Sequence, residues 1–109
     1  MVPAPKRLDS VEIHNVSNKN LNIKVTFMDS IKDHKEIVQT ITIHAGDKKV
    51  AGPVVLDMGS WQGVAPVQML EVIEESGAGH SLTPSVMGVV NQLSVIANEE
   101  NGRHILKVQ

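Results

Sequence analysis

The chain contains no cysteine and very few aromatic side chains: Phe27 and Trp61 are the only ones among 109 residues, and tyrosine is absent. Without cysteine there can be no disulfide, thiolate metal site, iron–sulfur cluster or cysteine nucleophile. No apolar run reaches the roughly 18 residues that a membrane-spanning helix needs. Neither sign of charge dominates, because ten basic residues nearly balance twelve acidic ones. The chain therefore has no strong field for gathering nucleic-acid phosphates, and we expect neither a nucleic-acid nor a membrane partner.

Branched aliphatic residues fill the place of the missing rings. Apolar residues make up 41% of the chain, with sixteen valines and nine isoleucines. Such side chains are stiff at χ1 and favour strands. A chain of this length builds one core, which here must be thin and aliphatic. Self-association would bury more of that aliphatic surface, so we expect a homo-oligomer or a protein partner.

The chain is expected to consist of a flexible N-terminal arm, residues 1–8, and one β-sandwich domain, residues 9–109. Pro3 and Pro5 cannot join a sheet ladder, and the residues around them show no periodicity. The opening residues also lack the apolar segment of a secretory signal. We therefore expect a cytoplasmic protein.

Alternating apolar and polar residues predict an all-β fold. The clearest alternation places Leu21, Ile23, Val25 and Phe27 on one face of a strand. The rhythm of short Val/Ile-rich strands and Asn or Gly turns resembles immunoglobulin-like sandwich modules in general, although the Cys-Trp-Cys framework is missing. The alternation and turn patterns together predict a sandwich of about seven strands, near residues 10–16, 20–28, 36–44, 49–58, 66–74, 86–97 and 103–108.

Turn residues predict how these strands connect. The polar cluster at residues 15–20 favours a hairpin between the first two strands. Gly52-Pro53 indicates an edge strand or a bulge, because proline cannot donate to a central ladder. Asn101-Gly102 is the strongest short hairpin signal in the chain. We expect a loop from Gly59 to Gly63 and a turn from Ser76 to Gly79.

Residues 66–98 leave an alternative open, an α+β fold with one or two helices. Pro66 suits the first turn of a short helix that ends before Gly77. Thr83-Pro84 could cap a second helix, although Gly88 and several β-branched neighbours weaken it. The Asn101-Gly102 signal favours strands here.

The histidines do not have the spacing of a known metal motif. His14, His44 and His104 fall on predicted strands and could approach one another beside Asp57 or Glu12. We interpret all five histidines as exposed polar positions, some of which could respond to pH. No metal and no other cofactor is expected.

No catalytic motif is found. The segment from Gly59 to Gly63 does not have the frame of a nucleophile elbow. A small enzyme would need His44, His80 or His104 beside an acid in a cleft. We therefore expect the chain not to be an enzyme.

The loop around Trp61 is the strongest candidate for a binding site. It joins the only tryptophan to Asp57, Gln62 and flexible glycines. Trp61 could instead fold back as a plug for the core, or stack on a sugar ring. Val54 and Val55 belong to the same candidate contact, because a proline-interrupted segment is typical of an edge strand.

These observations predict a non-catalytic structural or protein-interaction module that self-associates. The alternative is a small module that binds a carbohydrate or a metal through the Trp61 loop or the strand histidines. Charge is also uneven: residues 1–50 carry eight bases and six acids, whereas residues 51–109 carry two bases and six acids. One end or face of the molecule should therefore be acidic.

Overall fold

The computed structural model describes residues 7–29, 35–57, 59–74, 77–84, 86 and 88–109. Within these residues the chain forms strands and no helix, so no helix long and apolar enough to cross a membrane occurs there. Most of the predicted arm, residues 1–6, lies outside the described residues, and the first strand begins at Arg7. The strands are β1 (Arg7–Asn15), β2 (Leu21–Met28), β3 (Glu36–Ile43), β4 (Lys48–Ala51), β5 (Val54–Asp57), β6 (Gln62–Ala65), β7 (Val67–Glu74), β8 (Gly77–Leu82), β9 (Val89–Glu100) and β10 (Arg103–Val108).

The strands form two packed sheets and a separate ribbon. The first sheet has the order β10-β9-β1-β4 and the second the order β3-β2-β7-β8, while β5 pairs only with β6. All neighbouring strands are antiparallel except β1 and β9, which run parallel. The prediction of an all-β sandwich is confirmed; its immunoglobulin-like character stays a prediction.

The core follows from alternation along the central strands. On β2 the side chains of Leu21, Ile23, Val25 and Phe27 are buried, as the sequence pattern predicts. On β3 one face, from Ile37 to Ile43, is turned inward and the other outward. Phe27 is the one aromatic residue among the buried hydrophobic side chains described. The prediction of an aliphatic core is therefore confirmed.

The predicted hairpin between the first two strands is wrong. β1 pairs with β4 and β9, whereas β2 pairs with β3 and β7, so residues 16–20 cross from one sheet to the other. Asn15 holds this crossing together. Its buried amide nitrogen donates to the carbonyls of Lys19, at 2.6 Å, and Ile43, at 2.9 Å. Its amide oxygen accepts from the backbone N–H and the hydroxyl of Ser17.

Other boundaries also differ from the prediction, and the described residues form ten strands instead of about seven. The strand predicted over residues 49–58 is two strands, because Gly52-Pro53 separates β4 from β5. The loop predicted over residues 59–63 includes the start of β6, and the turn predicted at residues 76–79 includes the start of β8. The helical alternative for residues 66–98 is wrong for the described part, which holds β7, β8 and β9.

The hairpin predicted at Asn101-Gly102 is confirmed. β9 and β10 pair antiparallel around this two-residue turn, with Glu100 opposite Arg103. Both turn residues have positive φ, 52° at Asn101 and 78° at Gly102, as a type I′ turn requires. The turn also fixes the register that positions the polar cluster described below.

Candidate functional site

The Trp61 loop lies at the tip of the β5–β6 ribbon. Leu56 and Ala65, from the two strands of the ribbon, are buried in the core. The carbonyl of Pro66, immediately after β6, accepts a hydrogen bond from the N–H of Met28 at 3.0 Å. The inner face of the ribbon is thereby fixed to the sandwich, although neither of its strands belongs to either four-stranded sheet.

The outer face of the ribbon gathers most of the predicted site residues. Val55 lies opposite Val64, and Asp57 lies opposite Gln62. The side chain of Val55 is 53% exposed, and those of Asp57 and Gln62 are exposed as well. A carboxylate oxygen of Asp57 accepts the N–H of Gly59 at 2.9 Å, which supports the turn before Trp61.

Trp61 itself is 53% exposed, so the interpretation that it plugs the core is wrong. Large exposed rings are uncommon on isolated domains and are enriched in protein contacts. Val54 does not join Trp61 and Val55, because it alternates with Val55 and packs against the buried core. The structure thus brings Trp61, Val55, Asp57 and Gln62 to one exposed tip and leaves Val54 behind it.

A second polar cluster surrounds His104, whose side chain is 11% exposed. Its Nδ1 lies 3.4 Å from an Oε1 of Glu74 in the other sheet, and its Nε2 lies 3.5 Å from an Oε2 of Glu99. The distance to Glu99 is long for a hydrogen bond, and Nε2 has no hydrogen-bond partner among the described residues. A protonated imidazole here would be attracted by one carboxylate on each side and would join the two sheets.

His104 and Glu74 also line an open cavity of about 510 Å³. The volume lies in the range of small-molecule sites. The cavity contains a histidine beside an acid, as a small enzyme of this kind would need. Its lining residues supply no hydroxyl or thiol nucleophile. The lining residues are Lys19, Asn20, Leu21, Asn22, Ile73, Glu74, Gly102 and His104.

His80 connects the same two sheets in a different way. Its Nδ1 accepts a hydrogen bond of 2.9 Å from the backbone N–H of Leu106 on β10, although His80 belongs to β8. Protonation of Nδ1 would remove this acceptor.

The histidines do not come together as a metal site. Within the described ranges no group of three or more His, Asp or Glu side chains could hold a metal ion. His14 lies on β1 opposite Lys48, His44 follows β3, and His104 lies on β10 opposite Glu99. His34 lies outside the described residues.

The uneven charge of the sequence becomes an uneven charge across the sandwich. β10 lies against β8, and β3 approaches β4, so the strands of the first half occupy one side and those of the second half the other. The second-half side carries Glu71, Glu74, Glu99 and Glu100, the last paired with Lys107 at 2.8 Å.

Sequence reasoning missed the convergence of Glu74 and Glu99 on His104. Part of the signal was present, because a two-residue turn at Asn101-Gly102 places His104 opposite Glu99 by counting alone. The approach of Glu74 comes from the packing of the two sheets and has no local signal.

No family model matches the chain, and neither a curated protein nor a solved structure matches it. Similarity to known proteins therefore contributes nothing to the assignment of its function.

Proposed function

We propose that the chain is a non-catalytic protein-interaction module that self-associates through the tip of the β5–β6 ribbon. The observation that carries the proposal is the exposure of Trp61 and Val55 on a ribbon whose inner face is fixed in the core. An anchored ribbon presents an aromatic and an aliphatic side chain in one position, so little conformational entropy is lost on contact. A cytoplasmic location is part of the proposal, and a chain without cysteine is compatible with it.

The ribbon also offers backbone groups to a partner. Each of its strands pairs with one neighbour only among the described residues, which leaves two open edges beside Trp61. Strand edges of this kind recruit another strand by main-chain hydrogen bonds, while neighbouring side chains provide specificity. Trp61 and Val55 are suited to be the anchors of such a contact.

Sedimentation of a Trp61→Ser variant tests this proposal. We expect the substitution to weaken self-association by about 2 kcal/mol, or roughly thirtyfold, since interface tryptophans carry binding energy of that order. The matched control is Val16→Ser. It removes a 43% exposed side chain that directly follows β1 and lies outside the ribbon, so association should be unchanged. Equal association of the two variants and the wild type would contradict the ribbon contact.

A second candidate function is carbohydrate binding at the same tip. The exposed indole stands next to the Asp57–Gln62 pair, so a sugar ring could stack while its hydroxyls meet a carboxylate and an amide. Titration of the Trp61 fluorescence with glycans separates the two functions. A saturable shift with a glycan supports carbohydrate binding, and a shift that depends only on protein concentration supports self-association.

A further inference from the structure

Strand β3 is an open edge of the second sheet. It pairs with β2 along its whole length without a bulge, and no other strand in the described part of the chain pairs with its free side. The free side therefore presents the backbone N–H and C=O groups of alternate residues along the strand, and no described strand pairs with them. An edge of this length is a template for another strand.

The composition of β3 does nothing to block such pairing. Proteins protect sheet edges with lysine, proline, bulges or very short strands. The outer strands of the first sheet follow this rule, since β4 is short and has Lys48 and Lys49, and β10 has Arg103 and Lys107. β3 contains no lysine, arginine, proline or glycine, its one charge is Glu36, and six of its eight residues are β-branched. Such a neutral, β-branched segment has a high tendency to pair with a strand like itself.

We propose that β3 pairs antiparallel with β3 of a second copy, with the two-fold axis at Thr40, so that two four-stranded sheets become one continuous sheet. The inference shares with the proposed function only the premise that the chain self-associates, and it places a contact on a different strand. Its occupant is a second copy because the strand is complementary to itself.

The register of this pairing follows from the faces of the strand. Antiparallel neighbours place directly opposed side chains on the same face, so inward residues must meet inward residues. A two-fold axis at Thr40 pairs Ile37 with Ile43 on the inner face and Val38 with Thr42 on the outer face, and Thr40 meets its own copy. A shift of the register shortens the overlap, and an odd shift places inward isoleucines opposite outward threonines.

A polar contact at each end of the strand pair favours the same register. Glu36, at the start of β3, comes to lie opposite His44 of the second copy, immediately after its β3. Both residues are exposed, so the carboxylate and the imidazole are free to meet at each end of the shared strand pair. Lys24 lies opposite Thr40 within one chain, and the two Lys24 side chains stand three strand spacings apart, about 14 Å, where salt screens their repulsion.

Charged substitutions at Thr40 test the pairing, because this residue alone would meet its own copy. Sedimentation velocity should show that Thr40→Glu and Thr40→Lys each weaken self-association about tenfold or more, because like charges then oppose each other at the axis. An equimolar mixture of the two variants should restore association, since Glu then faces Lys. Thr40→Gln, which adds bulk without charge, should associate like the wild type. Circular dichroism of each variant checks that the fold is intact.

The outcomes distinguish this inference from the proposed function. Loss of association in both charged variants, with restoration in their mixture, supports the β3 pairing. Loss in Trp61→Ser with full association of both charged variants overturns the β3 pairing and leaves the ribbon contact standing. A wild-type chain that stays monomeric at every concentration overturns both.

Discussion

At the scale of single residues, the side chain of Asn15 satisfies several polar groups at the crossing between the two sheets. It is fully buried at the crossing between the two sheets and donates to Lys19 and Ile43 while it accepts from Ser17. Few other short side chains could supply two donors and an acceptor in this geometry. Burial of the unsatisfied carbonyls after its removal would be costly because water does not reach them.

We predict that Asn15→Ala lowers the free energy of unfolding by about 2–4 kcal/mol. The matched control is Asn18→Ala, because Asn18 is exposed in the same crossing and should contribute less than about 0.5 kcal/mol. Urea unfolding of both variants measures the difference. Equal stability of the two variants would show that the Asn15 hydrogen bonds do not hold the crossing.

The burial of side chains on regular strands could be predicted from the sequence, whereas the exposure of Trp61 could not. Alternation on β2 and β3 predicts which side chains face the core, because a strand has a two-residue period. The exposure of Trp61 has no such signal: a ring next to glycines is compatible with a core plug and with an exposed tip. Only the path of the ribbon decides between them.

At the scale of elements, turns with a defined backbone geometry were predictable and sheet assignment was not. Asn101-Gly102 predicts its hairpin because few residues other than Asn and Gly adopt two successive positive φ angles. The polar cluster after β1 also predicts a change of direction, but the same residues serve a hairpin and a crossing between sheets. One of the two partners of β1 is β9, some eighty residues away, and long-range pairing of this kind has no local signature.

Gly52 sets where β4 ends and β5 begins, which allows a further prediction. Its φ is +87°, and an added Cβ would lie 2.8 Å from the carbonyl oxygen of Asp9 and 3.0 Å from the ring of Phe27. Gly46 has a similar φ of +82° with nothing near its missing Cβ. Both alanine variants carry the backbone penalty of roughly 1–2 kcal/mol, and Gly52→Ala adds about 1–3 kcal/mol for the overlap. Thermal unfolding that gives equal losses would contradict the packing role of Gly52.

At the scale of the whole molecule, the proposed self-association would add stability to a thin aliphatic core. Phe27 is the single ring in the described core, while Val38, Val55 and Trp61 are each about half exposed. Association would remove such surface from water, at roughly 25 cal/mol for each Å² of apolar area. Stability should therefore rise with protein concentration, as binding that favours the folded state requires.

The decisive experiment for self-association is sedimentation velocity of the wild-type chain over a dilution series through the micromolar range. We expect a reversible shift from an oligomer at high concentration to a monomer on dilution, with a melting temperature that falls along the same series. A single monomeric species with an unchanged melting temperature across the whole series would contradict it.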